Sequence, residues 1–167
     1  MWSNKNENLI LTEIKNAKFD IELPFKSEHI ETYCLPGNLL LIFSESWDYI
    51  VFDGNRGRII YQGKFPEDEN QSSILSICSY WFRAISHHEI IYYSPTHEQI
   101  KVYDFELGAV TNVWTAKFRI NLEFNFFNWM QYYPDQQKCR ILHMTTFSTA
   151  AVTDVYYDGT VAEIGEV

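Results

Sequence analysis

Histidine and cysteine are the side chains of this 167-residue chain best suited to ligation or nucleophilic chemistry, and their spacing decides how far that goes. His87, His88 and His97, with Glu89 and Glu98, form the densest group of metal-donor types. Adjacent residues on a strand point to opposite faces, so only one of His87 and His88 can join His97. The compact ligand spacing of zinc or calcium sites is missing, and the group reads as two polar hairpin ends. No metal or other cofactor is expected. A cysteine nucleophile needs a neighbouring base and an orienting group, and no such motif surrounds Cys34, Cys78 or Cys139. The chain also lacks a Gly-x-Ser-x-Gly elbow. Gly54-Asn55-Arg56-Gly57 reads as a hairpin turn and not as a phosphate cradle. Asp53, Asp104 and Asp158 fall at nearly equivalent repeat positions, which suits a ring of carboxylates for a cation or a basic ligand. They also stand where turns begin and a carboxylate bonds nearby backbone N–H groups, and that reading is preferred. The expectation is a protein that is not an enzyme.

Recognition chemistry is better represented. Glu67-Asp68-Glu69 forms an acidic surface loop, and Trp47, Trp81 and Trp129 are candidate aromatic anchors beside it. Rings supply contact area and carboxylates steer the encounter, so these six residues are expected to bind a basic protein partner. The wider anchor set contains Tyr92, Tyr93, Trp114, Tyr132 and Tyr133, about half of them core residues. A second use of aromatic rows is stacking of sugar rings flanked by amides, for which Asn125, Asn128, Trp129, Gln131 and Tyr132 qualify.

Composition narrows the classes further. Apolar content of 46% and aromatic content of 17% exclude general disorder. A net charge of −9 and a pI near 4.9 oppose binding to a phosphate backbone, so no nucleic-acid partner is expected. No apolar run reaches the ~20 residues that span a bilayer, so no membrane role is expected. The polar opening Met1–Asn8 lacks the apolar core of a secretory leader. Three scattered cysteines read as reduced and mostly buried, which fits a cytoplasmic protein.

The elements that would position these residues come from an internal repeat. Shifting the chain by 51 residues lays Asn38–Ile42 over Glu89–Tyr93, and these over Arg140–Met144. Tyr49–Gly54 then matches Ile100–Phe105, with Asp154–Gly159 as the third copy after three added residues. Gly57, Gly108 and Gly159 keep the same spacing at hairpin corners. Each copy holds short runs rich in Ile, Val, Tyr and Phe. The alternation Phe19, Ile21, Leu23, Phe25 adds a half-buried strand ahead of them. Leu9–Leu11 reads as the last strand of a fourth, truncated unit, against a rival short helix over 9–18. A long strand candidate spans Ser73–Ser86, and the most aromatic stretch spans Ile120–Tyr133. The expected fold is a single all-β domain over 1–167. It holds three antiparallel four-stranded blade-like repeats of about 51 residues (roughly 26–65, 73–118 and 124–167) and an extra N-terminal strand at 8–25.

This repeat resembles the blade repeats of β-propellers of the kelch or quinoprotein type. The Trp-Asp and paired-glycine signatures of the named families are missing, so no family function follows from the likeness. Three units are too few for a closed propeller, which implies an open stack or a homodimer completing a ring. In general character the chain is similar to bacterial toxin-immunity proteins, which occlude a cytotoxic domain by charge and shape. That likeness implies a basic toxin domain as partner. The alternatives are a glycan- or small-ligand-binding repeat protein and a structural subunit of a homo-oligomeric ring.

Overall fold

The computed structural model describes residues 2–5, 8–14, 17–27, 30–66, 82–94, 97–118, 120, 129–146 and 148–166, with backbone alone for 2–5, 8–14, 17–20 and 82. Glu67, Asp68, Glu69, Trp81, Cys78, Asn125 and Asn128, and most of the 73–86 and 120–133 stretches, lie outside the described residues. The chain divides into two compact units, Met1–Phe65 and Pro66–Val167.

The first unit begins with β1 (Trp2–Lys5), β2 (Asn8–Ile14) and β3 (Ala17–Glu22), an antiparallel three-stranded sheet. The N-terminal segment is thus strand and not helix, and Leu9–Leu11 lie in the middle strand of three and not in the last of the unit. Next come β4 (Ile30–Leu35), β5 (Leu39–Ser44), β6 (Asp48–Asp53) and β7 (Arg58–Lys64), paired in chain order. In the second unit, β8 (Phe82–Ala84), β9 (Glu89–Ser94), β10 (Gln99–Asp104) and β11 (Ala109–Lys117) form a second four-stranded sheet. The third holds β12 (Trp129–Tyr133), β13 (Lys138–Met144), β14 (Ala150–Tyr156) and β15 (Val161–Glu166). A single 3-10 turn, Pro134–Gln136, links β12 to β13. No helix among the described residues is long and apolar enough to cross a membrane.

The sequence dictates these sheets through their middle strands. Leu39–Phe43 and Ile90–Tyr93 are nearly continuous apolar runs, and every residue of β5, and all but the first of β6, β9 and β10, is buried. Strands of this kind must be covered on both faces. In the first unit Ile21 of β3 packs with Leu40, Ile42, Ile50 and Phe52, joined by Leu23 and Phe25, as the alternation anticipates. The other face of the same sheet buries Phe43, Trp47 and Tyr49 around Phe65, with ring centroids 5.1–6.3 Å from it. In the second unit Ile91, Tyr93, Ile100, Val102 and Trp114 meet Met130, Cys139, Ile141 and Val155 across the two sheets. The buried Tyr93 hydroxyl accepts the Ile120 N–H at 3.2 Å, so that core holds its polar group satisfied.

The 51-residue repeat persists into detail. A bulge at Ile60 in the β6–β7 ladder recurs at Thr111 in β10–β11. Gly57, Gly108 and Gly159 all have positive φ, at 64°, 64° and 97°. The third copy is aligned differently from the sequence expectation. β13 and β14 have seven residues each where β5, β6, β9 and β10 have six. The extra residue pair places Tyr156 opposite Lys138, as Asp53 is opposite Leu39 and Asp104 opposite Glu89. Asp158 therefore sits in the following turn. All three aspartates nonetheless take the turn role: Asp53 Oδ1 accepts from Asn55 N–H at 2.8 Å, Asp104 Oδ1 from Glu106 N–H at 2.7 Å, and Asp158 Oδ1 from Thr160 N–H at 2.9 Å. The reading of the cysteines as mostly buried holds for Cys139, but Cys34, on β4, is exposed.

Two expectations follow for stability. Gly108 has left-handed φ and open space where a Cβ would go, so Gly108→Ala adds backbone strain alone. Urea unfolding should show a loss of roughly 1–2 kcal/mol, whereas Gly165→Ala, with neither strain nor a clash, should be near neutral. The second concerns Asp154, whose buried carboxylate takes Lys138 Nζ at 2.7 Å and Arg140 Nε at 2.8 Å. The Arg140 hydrogen bond, with help from Lys138, holds its pKa below the usual carboxylate value. Asp154→Ala leaves the Lys138 charge buried and unpaired, and should cost about 3 kcal/mol at pH 7. Its folded pKa is depressed, so the contribution is whole above the unfolded carboxylate value near 4 and lost as pH falls through the folded one. The gap between wild type and variant should close below about pH 4.

Candidate functional site

The candidate site lies within the second unit, where β9, β10 and β11 face the end of the third sheet. The β9–β10 register pairs Glu89 directly with Asp104. The Phe105 N–H donates to the His88 carbonyl at 2.8 Å, which pins the His88 backbone beside that pair. His88 Nε2 then stands 3.9 Å from Glu89 Oε2 and 3.9 Å from Asp104 Oδ2. Ser86 orders the approach: its Oγ accepts the N–H groups of His88 and Glu89 at 3.3 and 3.0 Å and donates to Glu89 Oε2 at 3.1 Å. Asp104 Oδ1 is committed to the turn through Glu106 and Leu107 N–H, which leaves Oδ2 aimed at the imidazole.

Glu89 also lines a cleft of about 460 Å³. Ile91, Val102 and Ile85 supply its apolar surface, and Trp114, Tyr132 and Tyr157 its aromatic wall. Trp114 meets Tyr132 and Tyr157 edge-on, with centroids at 6.4 and 5.9 Å. Thr111, Asn112 and Gln137 add neutral hydrogen-bonding groups. Local backbone explains why these residues converge. The bulge at Thr111 re-aims β11 next to Asn112. Gln137 adopts the left-handed region at φ 46°, and its carbonyl accepts the Tyr157 N–H at 2.9 Å, holding both at one end of the third sheet. Burial raises the Tyr132 phenol pKa, with smaller contributions from Cys139 and Glu89, so the ring enters the cleft as a neutral hydroxyl. Burial also pushes the Cys139 thiol well up, which keeps it protonated and unreactive.

The residues singled out in the sequence are dispersed. Glu67, Asp68, Glu69 and Trp81 are outside the described residues. Trp47 is only 8% exposed and packs on Phe65, so its ring has little surface to offer a partner. Trp129 is 40% exposed. Tyr92 and Tyr93 are core residues, while Tyr132 and Tyr133 are half-buried. Of the metal-donor group, His88 and Glu89 come together and His97 does not; it lies by Ser94 Oγ and Lys101 Nζ at 3.1 and 2.9 Å. The strand rule applied to His87 and His88 fails because residues 85–88 bend between β8 and β9, and the two rings touch at 4.6 Å. For Asp104 the sequence favours the turn over a ring of carboxylates shared with Asp53 and Asp158, although its pairing with Glu89 is implicit in the hairpin. Tyr157 and Gln137 were missed because the third copy was aligned two residues away from its true register.

No known protein family matches this chain, and no curated protein does. Its fold is similar to that of apo AztD from Citrobacter koseri, at 16% identity and a TM-score of 0.41, over 72% of this chain and 32% of that one. It is also similar to BamB from Moraxella catarrhalis, at 11% identity and a TM-score of 0.49, over 98% of this chain and 56% of that one. Both neighbours are β-propeller-like, and this chain spans less than two thirds of either. Neither likeness bears on what this chain binds.

Proposed function

We propose that this chain is a non-catalytic binding protein whose recognition site is the cleft of the second unit, and that the cleft takes a small, neutral, polar ligand such as a sugar ring. The observation that supports this is the composition of the cleft walls. Three aromatic rings share the lining with two amides, a threonine and one carboxylate, and the volume is that of a small-molecule pocket. A pyranose has an apolar face for the rings and equatorial hydroxyls for Asn112, Gln137 and Glu89. Titration with a panel of neutral mono- and disaccharides, read by Trp114 fluorescence, should give saturable binding. Tyr157 is well exposed, so Tyr157→Ala should weaken that binding about tenfold while barely moving the melting temperature. Absence of saturation across the panel, or an unaltered affinity in Tyr157→Ala, would count against the proposal.

A second reading is favoured by the net charge of −9 and the exposed Trp129. On that reading the chain is an acidic protein-binding module that occludes a basic partner, in its sharpest form an immunity protein bound to a toxin domain. Glu67, Asp68 and Glu69 would steer the encounter and Trp129 would anchor it. Replacing the three acidic residues by lysine should slow association with a basic nuclease domain about tenfold at low salt and flatten its salt dependence. Equal rates and equal salt response in the two proteins would remove this loop from any such interface.

A further inference from the structure

We infer that His88, Glu89 and Asp104 form a binding site for a first-row divalent cation, Zn²⁺ or Mn²⁺, at the rim of the cleft. The donor atoms of the three side chains lie within 4.8 Å of one another. Bonds near 2.1 Å to a shared ion require donor separations of about 3.4 Å in tetrahedral geometry. The observed 3.9 Å from His88 Nε2 to each carboxylate closes to that value with small side-chain rotations. One imidazole and two carboxylates make a donor set suited to these ions, with coordination positions left open for water or a ligand.

A second, independent observation comes from the register. Glu89 and Asp104 are direct cross-strand partners, and like charges so placed destabilise a sheet. Neither carboxylate is paired with a lysine or arginine among the described residues. The fold does not require this arrangement. In the first sheet the same turn is made by Asp53 facing Leu39, with Asn38 where His88 stands, and in the third sheet Tyr156 faces Lys138. His88 and Glu89 are therefore additions to the second sheet, set beside an aspartate that the hairpin turn shares with the first. A divalent ion between the carboxylates converts the repulsion into ligation, with Ser86 Oγ holding the Glu89 carboxylate and the His88 backbone N–H. Because Glu89 also lines the cleft, an ion held here would present its open positions near a bound ligand. The site stands independently of what the cleft accepts.

Calorimetric titration of the chelator-treated full chain with Zn²⁺ and with Mn²⁺, each alone, tests the assignment. One saturable site and a higher melting temperature with the ion are expected. Glu89→Gln should weaken binding at least tenfold. Asp104→Asn should do the same, since its amide oxygen can still hold the Glu106 and Leu107 N–H groups and keep the turn. His87→Ala should bind as wild type. In case a variant fails to fold, Mn²⁺-induced broadening of wild-type resonances should centre on His88, Glu89 and Asp104. Absence of saturable binding by both ions, or binding indifferent to Glu89→Gln and Asp104→Asn, or broadening centred elsewhere, would overturn the inference.

Discussion

The structure depends on one constraint: its middle strands are apolar on both faces. β5, β6, β9 and β10 cannot stand at a solvent boundary, because leaving Leu41, Ile42, Ile91 or Ile100 in water would forfeit ~1.5–3 kcal/mol for each side chain. The first two four-stranded sheets must therefore be covered front and back, and only their outer strands can alternate between core and solvent. β11 shows that second pattern, with exposed residues recurring along it, whereas β15 is exposed along nearly its whole length. Functional groups consequently collect where strands end and where outer strands bulge, since those are the positions the core does not claim.

Much of this was legible in the sequence. Apolar runs of five or six residues, recurring at 51 and punctuated by Asp, Gly and Asn, specify four-stranded hairpin units, and the turn glycines have the backbone they were expected to have. The third copy was harder. One added residue pair in β13 and β14 preserves the hydrophobic alternation while moving every residue beyond it, so a repeat found by matching letters selected Asp158 for the place Tyr156 holds. The N-terminal segment was similarly readable as strand through Ile21, but the number of strands depended on pairing, which composition does not encode.

The candidate site was legible only in pieces. Trp114 and Tyr132 stood out as aromatics, and His88 and Glu89 as donors, but nothing in their spacing joins them. Their convergence depends on three backbone events: the bend at 85–88, the bulge at Thr111 and the left-handed Gln137. None of the three has a residue signature that separates it from an ordinary turn. Buried and exposed tryptophans were likewise indistinguishable by type, and Trp47 and Trp129 differ only in what the fold lays over them.

The central claim is that recognition resides in the cleft of the second unit. Two-dimensional NMR of the labelled chain, titrated with the saccharide panel, tests it most directly. The account predicts concentration-dependent shifts clustered at the Trp114 indole, Asn112, Gln137 and Tyr157, with the first unit unchanged. Spectra that stay unperturbed with every sugar, or shifts that gather around Trp129 and leave the cleft silent, would contradict it.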